Sequence, residues 1–140
     1  MFSRSKRFTD AYLATDYVAR IDGRHVVVRP GQRSAEVEKA MRRVKTRTAA
    51  FITACNPSGR LRGEVANRAA HSALASNLRR CQRPFVEGYG LGHDNRWPAE
   101  KSVLAFGLNA SAAAKLGRRF RQNAIVFVQF GRRAKLVHLN

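Results

Sequence analysis

The stretch T48-A-A-F-I-T-A-C-N-P-S-G-R-L-R-G63 decides how the chain is read. Residues 48–55 form a short apolar run rich in β-prone side chains, which suits a central strand buried on both faces. Asn56-Pro57-Ser58-Gly59 then breaks the run with strong turn formers. A helical pattern follows from Glu64 to Cys81, with Asn67, Ala70, Leu74, Leu78 and Cys81 on one stripe. Strand, polar loop and helix in that order resemble the ligand-facing connections of open α/β sheets, where the loop lies beyond a strand's carboxyl end.

Working outward, Tyr17–Ile21 and His25–Val28 flank Asp22-Gly23-Arg24 and read as a hairpin. Ser34 followed by Glu36 and Glu38 starts a helix carrying Val37, Met41 and Val44, with a hydroxyl cap and acids in its first turn. Residues 85–89 and 101–108 read as strands around a Gly-rich loop, residues 90–99. Residues 111–120 form a short helix with Leu116 and Phe120 inward. Residues 124–130 and 134–138 make a second hairpin across Gly131-Arg132-Arg133. With a short helix at residues 8–14, the order is α-β-β-α-β-α-β-β-α-β-β. The expectation is one α/β (α+β) domain spanning residues 1–140: a sandwich with a mixed, partly antiparallel sheet and about four helices. The basic segment 1–7 is expected to be disordered.

A chain of 140 residues with 44% hydrophobic content can bury a real core. No run approaches the roughly 20 apolar residues of a membrane span, and the N-terminus lacks a secretory pattern. The expected location is the cytoplasm. Cys55 and Cys81 have neither disulfide-framework nor zinc spacing, so no metal is expected and both read as small core residues. No cofactor is indicated.

Charge is the strongest compositional signal: 27 Lys and Arg against 9 acids, a formal net charge of +18, with eight basic residues and no acid from Lys101 onward. Such a field attracts polyanions. Arginines scattered singly on solvated faces would give the same count, and charge supplies affinity without specificity.

Three loops carry polar groups beyond what a connection needs. Asn56 and Ser58 lead to a helix N-terminus, which favours an anion, with Arg60 and Arg62 adding charge; no Walker sequence is present. Asn67 on the inner stripe either braces that loop or contacts a ligand. In the second loop, Trp97 offers a broad apolar face, and Glu100 is a base, a ligand carboxylate or a surface acid answering nearby arginines. Ser102 follows it on the strand. His93-Asp94 has no accompanying nucleophile to make a catalytic set. In the third, Gln122-Asn123 form a helix C-cap or reach the first loop.

Taken together, Ala11-Tyr12-Leu13-Ala14-Thr15-Asp16-Tyr17 (AYxxTxY), Phe51–Pro57 (FITAxNP), Trp97 with Glu100 and Ser102 (W…E.S), and Phe120 with Gln122-Asn123-Ala124 (FxQNA) resemble a bacterial family of domains of unknown function. The chain departs from that pattern after Pro57, where Gly59–Gly63 replaces a Ser-rich helix start. The resemblance implies no activity or cofactor, but it groups the three polar clusters into one design.

The first expectation is a phosphate-bearing or nucleotide-like ligand bound beside the Asn56 loop. Asn56, Ser58, Asn67, Glu100, Ser102, Gln122 and Asn123 would supply its polar groups, with Tyr12 and Trp97 as walls. The alternatives are a sequence-tolerant nucleic-acid binder using Arg118, Arg119, Arg132 and Arg133, and an enzyme with Glu100 as general base.

Overall fold

The computed structural model describes residues 15–92 and 98–139. The expected helix 8–14, the segment 1–7, Tyr12, Trp97 and the His93-Asp94 pair lie outside them.

Among the described residues, seven strands form one sheet: β1 (Thr15–Ile21), β2 (Arg24–Val28), β3 (Thr48–Thr53), β4 (Phe85–Gly92), β5 (Glu100–Phe106), β6 (Ala124–Gln129) and β7 (Lys135–His138). Three α-helices accompany them: α1 (Ala35–Arg43), α2 (Glu64–Arg80) and α3 (Ala110–Arg119). The spatial order is β2-β1-β4-β5-β3-β6-β7. Every neighbouring pair is antiparallel, which corrects the expectation of a mixed sheet. The reason lies in the crossovers. The connections β3–α2–β4 and β5–α3–β6 each join strands running the same way, as a βαβ unit does. Each skips one position, and the skipped position is filled by a strand running the other way. The expected four helices become three among the described residues.

Local chemistry places these elements much as the sequence indicates. Asp22 and Gly23 both take positive φ, 52° and 74°, the turn that matches the twist of a two-residue hairpin. The Ser34 hydroxyl accepts the Val37 N–H at 3.2 Å and caps α1, with Glu36 and Glu38 in its first turn and Arg42 and Arg43 in its last. Asn109 caps α3 by accepting the Ala112 N–H at 2.8 Å, so that helix begins one residue before the expected Ser111. Val44, expected on the inner stripe of α1, is its C-cap residue and is exposed.

As expected, β3 is buried on both faces. Ala49 and Phe51 point to a core closed by Val37, Ala40 and Met41 of α1. Ala50 and Ile52 point to a second core closed by Leu74 and Leu78 of α2 and by Ala113, Ala114 and Leu116 of α3. The sheet curls around α1. The chain after edge strand β2 reaches the turn before edge strand β7, where the Gly31 N–H donates to the Ala134 carbonyl at 2.7 Å and the Ala134 N–H to that of Gln32 at 2.9 Å.

Candidate functional site

Where β3 ends, its last residues are tied to β5. The Thr53 hydroxyl donates to the Lys101 carbonyl at 2.7 Å and accepts the Cys55 N–H at 3.0 Å. The chain then turns sharply. Asn56 lies in the left-handed region (φ 49°, ψ 57°), as do Ser58 (φ 57°, ψ 25°) and Gly59 (φ 72°), within a 3-10 turn at Pro57–Gly59. Left-handed backbone costs most non-glycine residues about 1–2 kcal/mol and is tolerated best by Asn, so Ser58 above all needs an external hold.

That hold is a network of side-chain amides. Asn56 is 3% exposed. Its backbone N–H donates to Asn67 Oδ1 at 2.9 Å, and Asn67 Nδ2 donates back to Asn56 Oδ1 at 2.9 Å. Asn56 Oδ1 also accepts the Arg62 N–H at 2.8 Å, and Asn56 Nδ2 donates to Glu100 Oε1 at 2.8 Å. Asn67 Nδ2 additionally reaches the Arg62 carbonyl at 3.3 Å. On the other side, the Ser58 N–H donates to the Arg121 carbonyl at 2.7 Å. The buried Gln122 amide donates to the carbonyls of Cys55 and Phe120 at 3.1 and 3.2 Å. Both ends of the Asn67 amide are engaged with the loop, as its bracing role requires.

Asn56, Asn67 and Glu100 therefore meet directly, and Gln122 joins them through the Cys55 carbonyl. Ser102 is buried on β5 opposite Thr53, its hydroxyl donating to the Glu100 carbonyl at 3.2 Å. Asn123 is half-buried one residue further on, and its carbonyl accepts the Leu139 N–H at 2.9 Å. Ser58, Arg60 and Arg62 are exposed on the outer side of the loop. They stand beside the N-terminus of α2, where Gly63 supplies no side-chain cap and Glu64 pairs with Arg68 at 2.9 Å.

One polar pair escaped the sequence reading. His71 lies one turn after Asn67 on α2 and is 7% exposed, and its Nε2 sits 2.7 Å from Glu87 Oε2 on β4. Its Nδ1 is buried and finds no hydrogen-bond partner among the described residues. The signal was present in the spacing, since His71 precedes Leu74 and Leu78 by three and seven residues on the inner stripe. Among the described residues no three His, Cys, Asp or Glu side chains gather as a metal site would require.

The two cysteines differ. Cys55 is buried, and desolvation pushes its thiol above the ordinary range, which suppresses the reactive thiolate. Cys81 is the C-cap residue of α2 and is exposed, which corrects its expected core role: the helix ends before the inner stripe reaches it.

The four arginines of the nucleic-acid reading fall into two groups. Arg118 and Arg119 close α3 near the Asn56 loop, and Arg118 Nε donates to the Leu139 carbonyl at 3.2 Å. Arg132 and Arg133 lie in the β6–β7 turn, at the other end of β6. Six residues of strand span roughly 20 Å, so the structure does not bring the two groups together.

Among known proteins, the family model described as a protein of unknown function (DUF3293) matches residues 52–125, just over half of the chain. Neither the curated proteins nor the solved structures yield a match.

Proposed function

The chain belongs to the DUF3293 family of proteins of unknown function, and for it we propose a ligand-binding role: a phosphate-bearing or nucleotide-like molecule held beside the Asn56 loop. The observation that carries this reading is the strained loop itself. Left-handed backbone at Asn56 and Ser58 is kept by a network reaching α2, β5 and the α3–β6 turn. Strain of this kind gathers where a fold fixes a binding surface in advance. The surface so fixed carries Ser58, Arg60, Arg62 and the first-turn N–H groups of α2, a set suited to phosphate oxygens. In this reading Asn56, Asn67 and Gln122 position the loop. Ser58, Arg60 and Arg62 touch the ligand, and Glu100, Ser102 and Asn123 form the wall behind.

The test is thermal stabilisation of the protein by a panel of nucleotides and phosphorylated metabolites. A ligand at about 100 times its Kd adds roughly 2.7 kcal/mol. Stabilisation by a panel member that Arg60→Gln/Arg62→Gln abolishes, with the ligand-free melting point unchanged, supports the role. A panel without effect counts against it.

A further inference from the structure

The opposite end of the sheet, where β3 begins, carries a different chemistry. Four connections are stitched together there by backbone hydrogen bonds. The Phe130 N–H donates to the Arg47 carbonyl at 2.8 Å, the Gly107 N–H to that of Thr48 at 3.1 Å, and the Phe106 N–H to that of Pro84 at 2.8 Å. Residues 42–47 carry four basic side chains, 79–84 three and 130–134 two, and none of these segments contains an acid. Asp22 pairs with Arg43, and Glu38 is held by Arg33. Arg42, Lys45, Arg47, Arg132 and Arg133 are all exposed. Two of them face one aromatic ring: the Arg42 and Arg47 guanidinium carbons lie 5.0 and 5.3 Å from the centroid of half-buried Phe130, and Arg132 and Arg133 follow that ring in the same turn.

Favourable interaction with helix dipoles accounts for Arg42, Arg43, Arg79 and Arg80, which close α1 and α2. It does not account for Arg47, Arg132 and Arg133, which lie in turns; of these, Arg47 has the Phe130 ring as a partner. Gathered positive charge around planar guanidinium and aromatic groups matches a strand of nucleic acid, whose phosphates need cations and whose bases stack on flat faces. We infer that this end, centred on Phe130, binds single-stranded nucleic acid with little sequence preference. The site lies at the far end of β3 from the Asn56 loop and does not depend on a ligand there.

The experiment is fluorescence polarisation of the full chain with labelled, mixed-sequence DNA and RNA strands of about 20 nucleotides, between about 50 and 200 mM salt. Wild-type protein is expected to bind with steep salt dependence. Lys45→Glu/Arg132→Glu/Arg133→Glu should weaken binding at least about tenfold and flatten the log–log salt slope by about 2, from three lost contacts at about 0.7 each. The neutral set Lys45→Gln/Arg132→Gln/Arg133→Gln should move both quantities the same way, with circular dichroism confirming an intact fold. A charge-matched control near the other end, Lys115→Glu/Arg119→Glu/Arg121→Glu, should stay within about threefold. Equal losses in both charge-reversed sets would overturn the inference, because the binding would then follow net charge alone. Absence of binding at the lowest salt would overturn it too, as would capture by anionic phospholipid vesicles with no binding to either strand.

Discussion

Asn56 and Asn67, eleven residues apart, exchange hydrogen bonds in both directions: a backbone N–H of one meets the side-chain oxygen of the other, and a side-chain amide returns the bond, each at 2.9 Å. This reciprocal contact joins the exit of the central strand to the second turn of the following helix.

Replacing Asn67 with Ala should therefore cost about 1–3 kcal/mol, because the buried Asn56 N–H loses its acceptor. Asn77→Ala, a half-buried amide further along α2, should change stability by no more than about 0.5 kcal/mol. Urea unfolding of the two variants checks the difference.

Gly88 and Gly117 should respond unequally to an added methyl. A Cβ at Gly88 would lie 2.3 Å from the Val18 carbonyl oxygen, backbone that cannot yield without breaking the β1–β4 pairing. At Gly117 the nearest atoms are side-chain methyls: Leu139 Cδ1 at 2.6 Å, which ends a side chain that can shift, and Ile125 Cγ2 at 2.8 Å, which sits on a stiffer β-branched carbon. Gly88→Ala should lose about 3 kcal/mol or more and Gly117→Ala about 1 kcal/mol, the range of overpacking costs. Melting temperatures give the ranking.

Stability should fall in acid partly through Glu38. Two bonds from Arg33, at 2.8 and 3.0 Å, hold this buried carboxyl below its ordinary range, with help from the Gly131 N–H. A carboxyl depressed in the folded state binds protons more readily when unfolded. Its contribution is therefore present above the ordinary carboxylate range and is lost as pH falls through the folded value. Glu38→Gln should be less stable than wild type at neutral pH, and the gap should narrow as the pH falls below the ordinary carboxylate range. Urea midpoints across pH give the measurement, and added salt should shrink the effect because Arg33 is exposed.

A thiol reagent should modify one cysteine per native chain. Cys81 is exposed, whereas Cys55 is buried with its thiol pushed upward. The second equivalent should appear only on unfolding. Cys81→Ser should remove the fast phase and leave the slow one.

Much of the fold was legible because it rests on local signals. The uninterrupted apolar run of residues 48–53, the Asp22-Gly23 turn and the Ser34 cap each constrain backbone by themselves. Strand direction was not legible in this way. Periodicity reports which residues of β3 are buried, but not that β5 enters between β3 and β4. That insertion depends on contacts some 50 residues apart, such as Phe51 with Leu104. At the candidate site the sequence marked Asn56, Asn67, Glu100 and Gln122, whose polarity stands out in apolar surroundings. It could not show that Asn56 bonds both Asn67 and Glu100, or that Gln122 holds the neighbouring Cys55 carbonyl. His71 was overlooked because an imidazole at helical spacing reads as an ordinary inner residue until Glu87 is seen across from it.

The interleaved strand order also governs how the chain can assemble during synthesis. Both neighbours of β3, β5 and β6, follow it in sequence by about 50 residues or more. A nascent chain ending before residue 100 can pair β1 with β2 and with β4, yet holds its most apolar strand with neither edge covered. Non-local pairing of this kind is slow, and uncovered β-prone segments invite association between chains. The strand at the middle of the finished sheet is thus among the last to be enclosed, so translation speed and chaperone access while β5 and β6 are being made should govern the yield of folded protein.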